Sequence, residues 1–223
     1  MSALLLSLTP YIVGSALVPV QVIIGLKLLN HPSAGLRKAA AYLSGMSLAR
    51  VVQGLLFLLV LGDWAAREDG KRPVISALVL VLGILLLVAA WRSWRRDDDP
   101  DGPPSRWRVL VEEATPLRAF ALGLGLPLLG AKLWVFTLGA LATIADAHVG
   151  LAGSAAVYLL FIVFAQSLVL VPIALRAALP ERSAPTIAAV GRWLDANERG
   201  IVIAVSLLFG LLFLHAGITG LRS

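Results

Sequence analysis

Arg50 stands near the middle of an apolar stretch running from about Ala39 to Leu61, and it is the only charge in that stretch. On insertion scales an arginine at the centre of a lipid-embedded helix costs about 2.5–3.5 kcal/mol. Its guanidinium must therefore face protein or a water-filled cavity. Ser47 and Gln53 lie three residues to either side and place a polar stripe on the same helix face. Lys132 holds a similar position in a second apolar stretch, just after Pro127 and Gly130. A helix broken there frees backbone groups, and an ammonium beside the break can bind those groups or an anion. Gln21, just past Pro19, and Gln166 with Ser167 are uncharged candidates for lining a cavity. Two readings stand side by side for all of these residues. They contact a ligand, or they satisfy freed carbonyls and make ordinary interhelical hydrogen bonds. The charge balance favours an anionic ligand over a cationic one. No Asp or Glu lies deep in any apolar stretch, and Asp63 and Asp146 fall at the ends. The same absence argues against a carboxylate proton relay.

Enzyme chemistry finds little support. The chain has no cysteine, so thiolate catalysis and disulfides are excluded. His31, His148 and His215 are dispersed, and no His/Asp/Glu group has metal-ligand spacing. No G-x-S-x-G elbow or phosphate loop is present. The acidic run Asp97 to Asp101 reads as a solvated loop rather than a metal site. No cofactor is expected, and the protein is expected not to be an enzyme.

The elements that must position these residues follow from composition. Of 223 residues 59% are hydrophobic and only 14% charged, against roughly a quarter charged in soluble domains. Such a chain divides into spans of about 20 apolar residues, and six are visible. The first runs from about Ala3 to Leu29 and contains Pro10, Gly14, Pro19 and Gly25, which predict a kinked or broken helix. The second carries Arg50. The third runs from about Val74 to Trp91. The fourth, from about Ala119 to Ala145, carries Pro127, Gly130 and Lys132. The fifth, from about Leu151 to Leu175, carries Gln166 and Pro172, and the sixth runs from about Gly200 to Leu221. Breaks are expected near Pro19 and Pro127, meeting near the bilayer midplane. Ala41, Gly45 and Ala49 recur every four residues and read as a packing face. Lys27 reads as an anchor snorkelling to the interface. Between the last two spans, Arg176 to Arg199 is long enough for a surface helix, with Trp193 suited to the interface.

The predicted fold is all-α, a polytopic membrane protein of about six transmembrane helices. Basic residues set its orientation. One set of loops holds Arg37, Lys38, the arginines between Arg92 and Arg118, and Arg176, Arg182, Arg192 and Arg199. The other holds Arg67, Lys71, Arg72 and Arg222. The richer set is expected in the cytoplasm, with both termini outside. The net charge of +6 then belongs to loops near anionic lipid, not to a nucleic-acid surface. Six spans divide three plus three, which forces the halves into opposite orientations. The whole chain, 1–223, reads as one transmembrane domain: a first repeat at about 1–91, a cytoplasmic loop at about 92–117 and a second repeat at about 118–223. The Pro- and Gly-interrupted first and fourth spans correspond in the two halves, the arrangement that points to a midplane binding site in transporters.

Three stretches carry a resemblance. They are Ala16 through Leu29 with Pro32 and Tyr42-Leu43-Ser44-Gly45; Gly125 through Phe136; and Arg192-Trp193-Leu194-Asp195 leading up to Gly220. Together they resemble the lysine-exporter (LysE) superfamily and, within it, the actinobacterial glycolipid- and sulfolipid-addressing proteins. Gly130-Ala131-Lys132 stands where the superfamily often shows Asn-Pro-Lys, so only the lysine carries over. The resemblance implies translocation of a cell-envelope lipid or glycolipid across the inner membrane. The bilayer and an anionic lipid would be its partners, and a homodimer is a candidate assembly. The wider superfamily implies efflux of amino acids or other small solutes instead. A non-transporting scaffold for envelope glycolipid export is a third reading, and a membrane enzyme acting on lipid phosphates a fourth.

Overall fold

The computed structural model describes residues 2–65, 71–95, 111 and 113–222, with the backbone alone at 2–3, 60–65, 71–79, 82, 131–132 and 221–222. The acidic run Asp97 to Asp101, most of the loop around it and the side chains of Asp63 and Lys132 lie outside the described residues.

The described residues form helices throughout: α1 (Ser2–Ala16), α2 (Pro19–Leu29), α3 (Gly35–Ala65), α4 (Lys71–Trp94), α5 (Pro116–Leu129), α6 (Ala131–Asp146), α7 (Gly150–Ala165), α8 (Ser167–Ala178) and α9 (Pro180–Arg222). Two helices are long and apolar enough to cross a membrane, α3 and α9. Three helix pairs are bent at short breaks: α1 with α2 by 58°, α5 with α6 by 68° and α7 with α8 by 70°. Counting each bent pair as one span gives five. The remaining expected span, Val74 to Trp91, falls on α4, whose described apolar part is Gly83–Trp94. The protein is an all-helical, polytopic membrane protein.

Each break has a local cause. Pro19 is the first residue of α2, where its missing N–H removes nothing a helix would use and its fixed φ suits a helix start. The first bend therefore lies just before Pro19. The second lies at Gly130, which caps α5 in an extended conformation and also precedes α6. The break expected near Pro127 and Gly130 falls at Gly130, and α5 continues through Pro127. The third bend, at Gln166, was not expected from sequence, and Pro172 sits in the second turn after it. At the start of α5, Thr115 Oγ1 accepts a hydrogen bond from the Arg118 N–H at 3.3 Å and Pro116 occupies the first turn.

Packing joins the pieces around α3. Its residues Ala39, Tyr42, Gly45, Met46, Ala49, Arg50 and Gln53 are buried, the i, i+3, i+4, i+7 face of a helix. α3 lies along α5, and α4 along α9. α1 packs against α6 and α7, and α2 against α3 and α9. Gly45 and Gly123 set the α3–α5 contact. A Cβ on Gly123 would stand 2.0 Å from the Tyr42 carbonyl oxygen, and one on Gly45 would stand 2.2 Å from that of Phe120. The small-residue spacing at Ala41, Gly45 and Ala49 is thus a packing feature in which Gly45 meets backbone directly.

α9 departs from the expected loop and separate last span. It is one continuous helix of 43 residues, about 65 Å long, roughly twice the ~30 Å hydrocarbon core. Its first half reaches α2, where Lys27 Nζ pairs with Asp195 Oδ2 at 3.2 Å. Lys27 is therefore tied to α9. Arg199 donates to the Ser93 and Trp94 carbonyls at 3.1 and 2.7 Å and so caps the end of α4. Gly200 follows inside the helix, and a Cβ there would meet nothing within 4 Å. Gly200→Ala is expected to raise stability by about 0.5–1 kcal/mol, read as a higher unfolding temperature in detergent.

Candidate functional site

The polar stripe on α3 is the centre of a buried polar cluster, and its members together reach all three broken spans. Arg50 is fully buried. Its Nη2 donates to Ser15 Oγ in the last turn of α1, and its Nη1 donates to Thr137 Oγ1 in α6 at 3.0 Å. Its guanidinium carbon lies 5.6 Å from the centre of the Phe161 ring, a cation–π contact from α7. Ser47, one turn before it, donates to Gln166 Oε1 at 3.1 Å, at the bend between α7 and α8. Gln53, one turn after it, donates through Nε2 to the Pro127 carbonyl at 3.0 Å, in the last turn of α5. Tyr42, two turns before Arg50, donates to the Gln21 carbonyl in α2 at 3.3 Å. One unbroken helix thus holds residues from all three broken spans.

The division of labour separates structural roles from free chemistry. A helix that ends at Leu129 leaves its last carbonyls without intrahelical partners. Gln53 takes that of Pro127, and Trp134 Nε1 takes that of Leu128 at 2.8 Å. Gln53 is therefore a cap for the broken fourth span. Gln53→Leu is expected to cost about 1 kcal/mol by orphaning the Pro127 carbonyl, measured as a lower unfolding temperature with insertion unchanged. Arg50 does not share this duty, since its two hydrogen bonds go to hydroxyls rather than to freed carbonyls.

What remains unpartnered defines what the cluster can bind. Buried polar side-chain atoms without a hydrogen bond include Arg50 Nε, Gln21 Nε2, Gln166 Nε2 and Gln53 Oε1. Three of these four are N–H donors. Each break also presents a helix start without a side-chain cap: α2 after Val18, α6 after Gly130 and α8 after Gln166. Backbone N–H groups at a helix start attract anions. No Asp or Glu side chain is buried among the described residues, and none of these carboxylates pairs with Arg50. A buried cation with hydroxyl partners, spare donors and uncapped helix starts is suited to an oxygen-rich anion.

A family model described as Sap, sulfolipid-1-addressing protein, matches residues 8–219. The chain belongs to the sulfolipid-1-addressing protein family. No curated protein and no solved structure matches it. The match covers both halves of this Sap-family chain and every residue of the cluster.

Of the residues picked out by sequence, Arg50 and Gln53 share one face of α3, the Gln166 side chain and the Gln21 carbonyl meet that face, and Pro19, Pro127 and Gly130 lie at or within a turn of the bends. Lys132 lies in the first turn of α6, beside the Gly130 break, but its side chain is outside the described residues. Sequence reasoning missed Ser15 and Thr137, the partners of Arg50, and the aromatic pair Tyr158 and Phe161. Tyr158 Oη donates to the Arg50 carbonyl at 2.6 Å. A hydroxyl in an apolar helix is a weak signal, because it can bond its own helix. Thr137 Oγ1 does so, donating to the Leu133 carbonyl at 3.1 Å.

Proposed function

We propose that this Sap-family protein moves an anionic envelope lipid, or a lipid-linked glycoconjugate with an anionic head group, across the cell membrane. The observation that carries the reading is the buried Arg50, with its Nε unpartnered, hydrogen-bonded or ring-stacked to all three broken spans, and further unpartnered donors on Gln21 and Gln166 near two of the breaks. Broken helices within a membrane put polar backbone where a ligand can reach it and are tolerated only against protein or a cavity. The head group would replace the missing acceptors at Arg50 Nε, Gln21 Nε2 and Gln166 Nε2. Lys132 would add a second cation from the start of α6. The inverted three-plus-three arrangement belongs to the same reading, with α1 and α2 corresponding to α5 and α6, and α4 to α9.

Reconstitution of the full chain into liposomes tests the function. In one arm the vesicles carry a labelled sulfated or phosphorylated glycolipid, and in another they are loaded with labelled amino acids. The lipid is expected to change leaflets and the amino acids to stay. Amino-acid efflux without lipid movement would replace this reading with small-solute export. Movement of neither would favour a scaffold. The orientation proposed with it places the basic loop around Asp98 in the cytoplasm and both ends of the chain outside. The chain has no native cysteine, so Asp98→Cys supplies a single label site. It is expected to react only after the cells are opened, and labelling from outside intact cells would reverse the topology.

A further inference from the structure

On the far side of Tyr158 from Arg50 lies a groove of about 470 Å³ between the second half of α3, the end of α6 and the first half of α7. Its walls include Leu55, Leu58, Leu141, Ile144, Ala155 and Leu159. Ser154 and Tyr158 are the polar side chains in its lining. Leu55, Leu58 and Leu159 are themselves exposed on the outer surface of the bundle, so the groove opens sideways on an apolar face of the helices. Along α3 it extends from Val51 to Leu58, about 10 Å, within the ~15 Å depth of one leaflet of a ~30 Å core. Its volume falls in the lower part of the ~300–1,000 Å³ range of ligand sites. Its extent suits the end of an acyl chain, and its lining has too few polar groups for a head group.

The groove shares a wall with the polar cluster. Tyr158 lines the groove while its hydroxyl donates to the Arg50 carbonyl at 2.6 Å. Its ring stacks on Phe161 with centroids 5.9 Å apart, and Phe161 lies under the Arg50 guanidinium. Gly54 makes room for this partition, since a Cβ there would stand 2.5 Å from the Tyr158 ring. A site for an anion and a site for a hydrocarbon are therefore separated by one pair of aromatic rings.

The geometry points to the groove as a binding site for one acyl chain of the translocated lipid, its methyl end resting against Tyr158. This rests on the function proposed above. The groove holds the chain while the head group is at the membrane surface on the side of the α3 C-terminal half. The Arg50 cluster holds the head group at mid-membrane. Tyr158 is then a positioning residue that keeps the two stages in register.

Photo-crosslinking in proteoliposomes of the full chain tests the site. The probes are a phosphatidylglycerol and a phosphatidylcholine, each with a diazirine near the methyl end of one chain, and crosslinked peptides are mapped by mass spectrometry. Crosslinks are expected to concentrate on Leu55, Ala155 and Tyr158. Exposed α4 residues such as Val81, Leu85 and Val88 serve as the reference for ordinary lipid contact. Ala155→Trp fills the groove from α7, and Leu55→Trp from α3. Both positions are exposed, so the core is spared. Each is expected to lower groove labelling about tenfold relative to α4 and to slow lipid translocation. Arg50→Gln should leave chain labelling in place, because the sites are separate. Equal labelling of groove and α4, or indifference to both Trp variants, overturns the acyl site even where Arg50→Gln abolishes transport. Concentrated, Trp-sensitive labelling without preferential movement of the anionic probe supports the acyl site and rejects the anionic-lipid function.

Discussion

Arg50→Gln is expected to lower translocation of an anionic lipid at least about tenfold while the protein stays inserted and near its original stability. One charge-assisted hydrogen bond to a head group contributes about 1.5–3 kcal/mol, which sets the size of the loss. The effect on folding should be small because two terms nearly offset. Neutralising Arg50 relieves a burial cost of about 2.5–3.5 kcal/mol and gives up the bonds to Ser15 and Thr137, so stability should stay within about 2 kcal/mol. Arg50→Lys keeps the charge but loses the planar fork that reaches both hydroxyls, and transport should fall to an intermediate level. A purely structural Arg50 gives a different pattern. Stability would fall by well over about 2 kcal/mol, as Ser15, Thr137 and the Phe161 ring all lose their partner, and activity would track the amount of folded protein. Unfolding in detergent beside translocation per inserted molecule separates the two.

The second large effect is on assembly of the bundle. Gly123→Ala is expected to destabilise the protein by about 3 kcal/mol or more, whereas Gly125→Ala should be neutral or slightly stabilising. Both substitutions improve intrinsic helix propensity by about 1 kcal/mol. They differ in what the new methyl meets. At Gly123 it would overlap the Tyr42 carbonyl at 2.0 Å, which is backbone and cannot rotate away. At Gly125 the nearest atom is Leu129 Cδ1 at 3.9 Å. Separating α3 from α5 would also pull Gln53 from the Pro127 carbonyl, so the cost exceeds ordinary overpacking of about 1–3 kcal/mol. Unfolding temperature and the yield of monodisperse protein check it, and equal behaviour of the two variants would show that the α3–α5 contact is not set by glycine.

The sequence exposed those parts of the molecule where one residue type is out of place in its surroundings. Arg50 is legible as the lone charge in an apolar run, and Pro19 marks a helix start wherever it falls. Pro127 itself stays inside α5, as prolines can in membrane helices, and the chain turns at Gly130 three residues later, where Gln53 holds the Pro127 carbonyl left open by the helix end. The bend at Gln166 was hidden because no proline stands at it. The polar pair Gln166-Ser167 and Pro172 downstream are its trace. The segment Asn197-Glu198-Arg199-Gly200 looked like a boundary by polarity alone. α9 runs straight through it, since Arg199 is engaged at the end of α4 and glycine alone only weakens a helix. The two hydrogen bonds of the Arg50 guanidinium join residues 35 and 87 positions apart, and pairings at that separation leave no local pattern to read.

The central claim is that the Arg50 cluster accepts an anionic head group during transfer between leaflets. It is tested most directly by two fluorescent lipids with identical chains, one with a sulfate or phosphate monoester head group and one with phosphocholine, in liposomes holding the wild-type protein. The anionic lipid is expected to change leaflets at least about tenfold faster, with the difference lost in Arg50→Gln. Equal rates for the two lipids in the wild-type protein, or faster movement of the zwitterionic one, would contradict it.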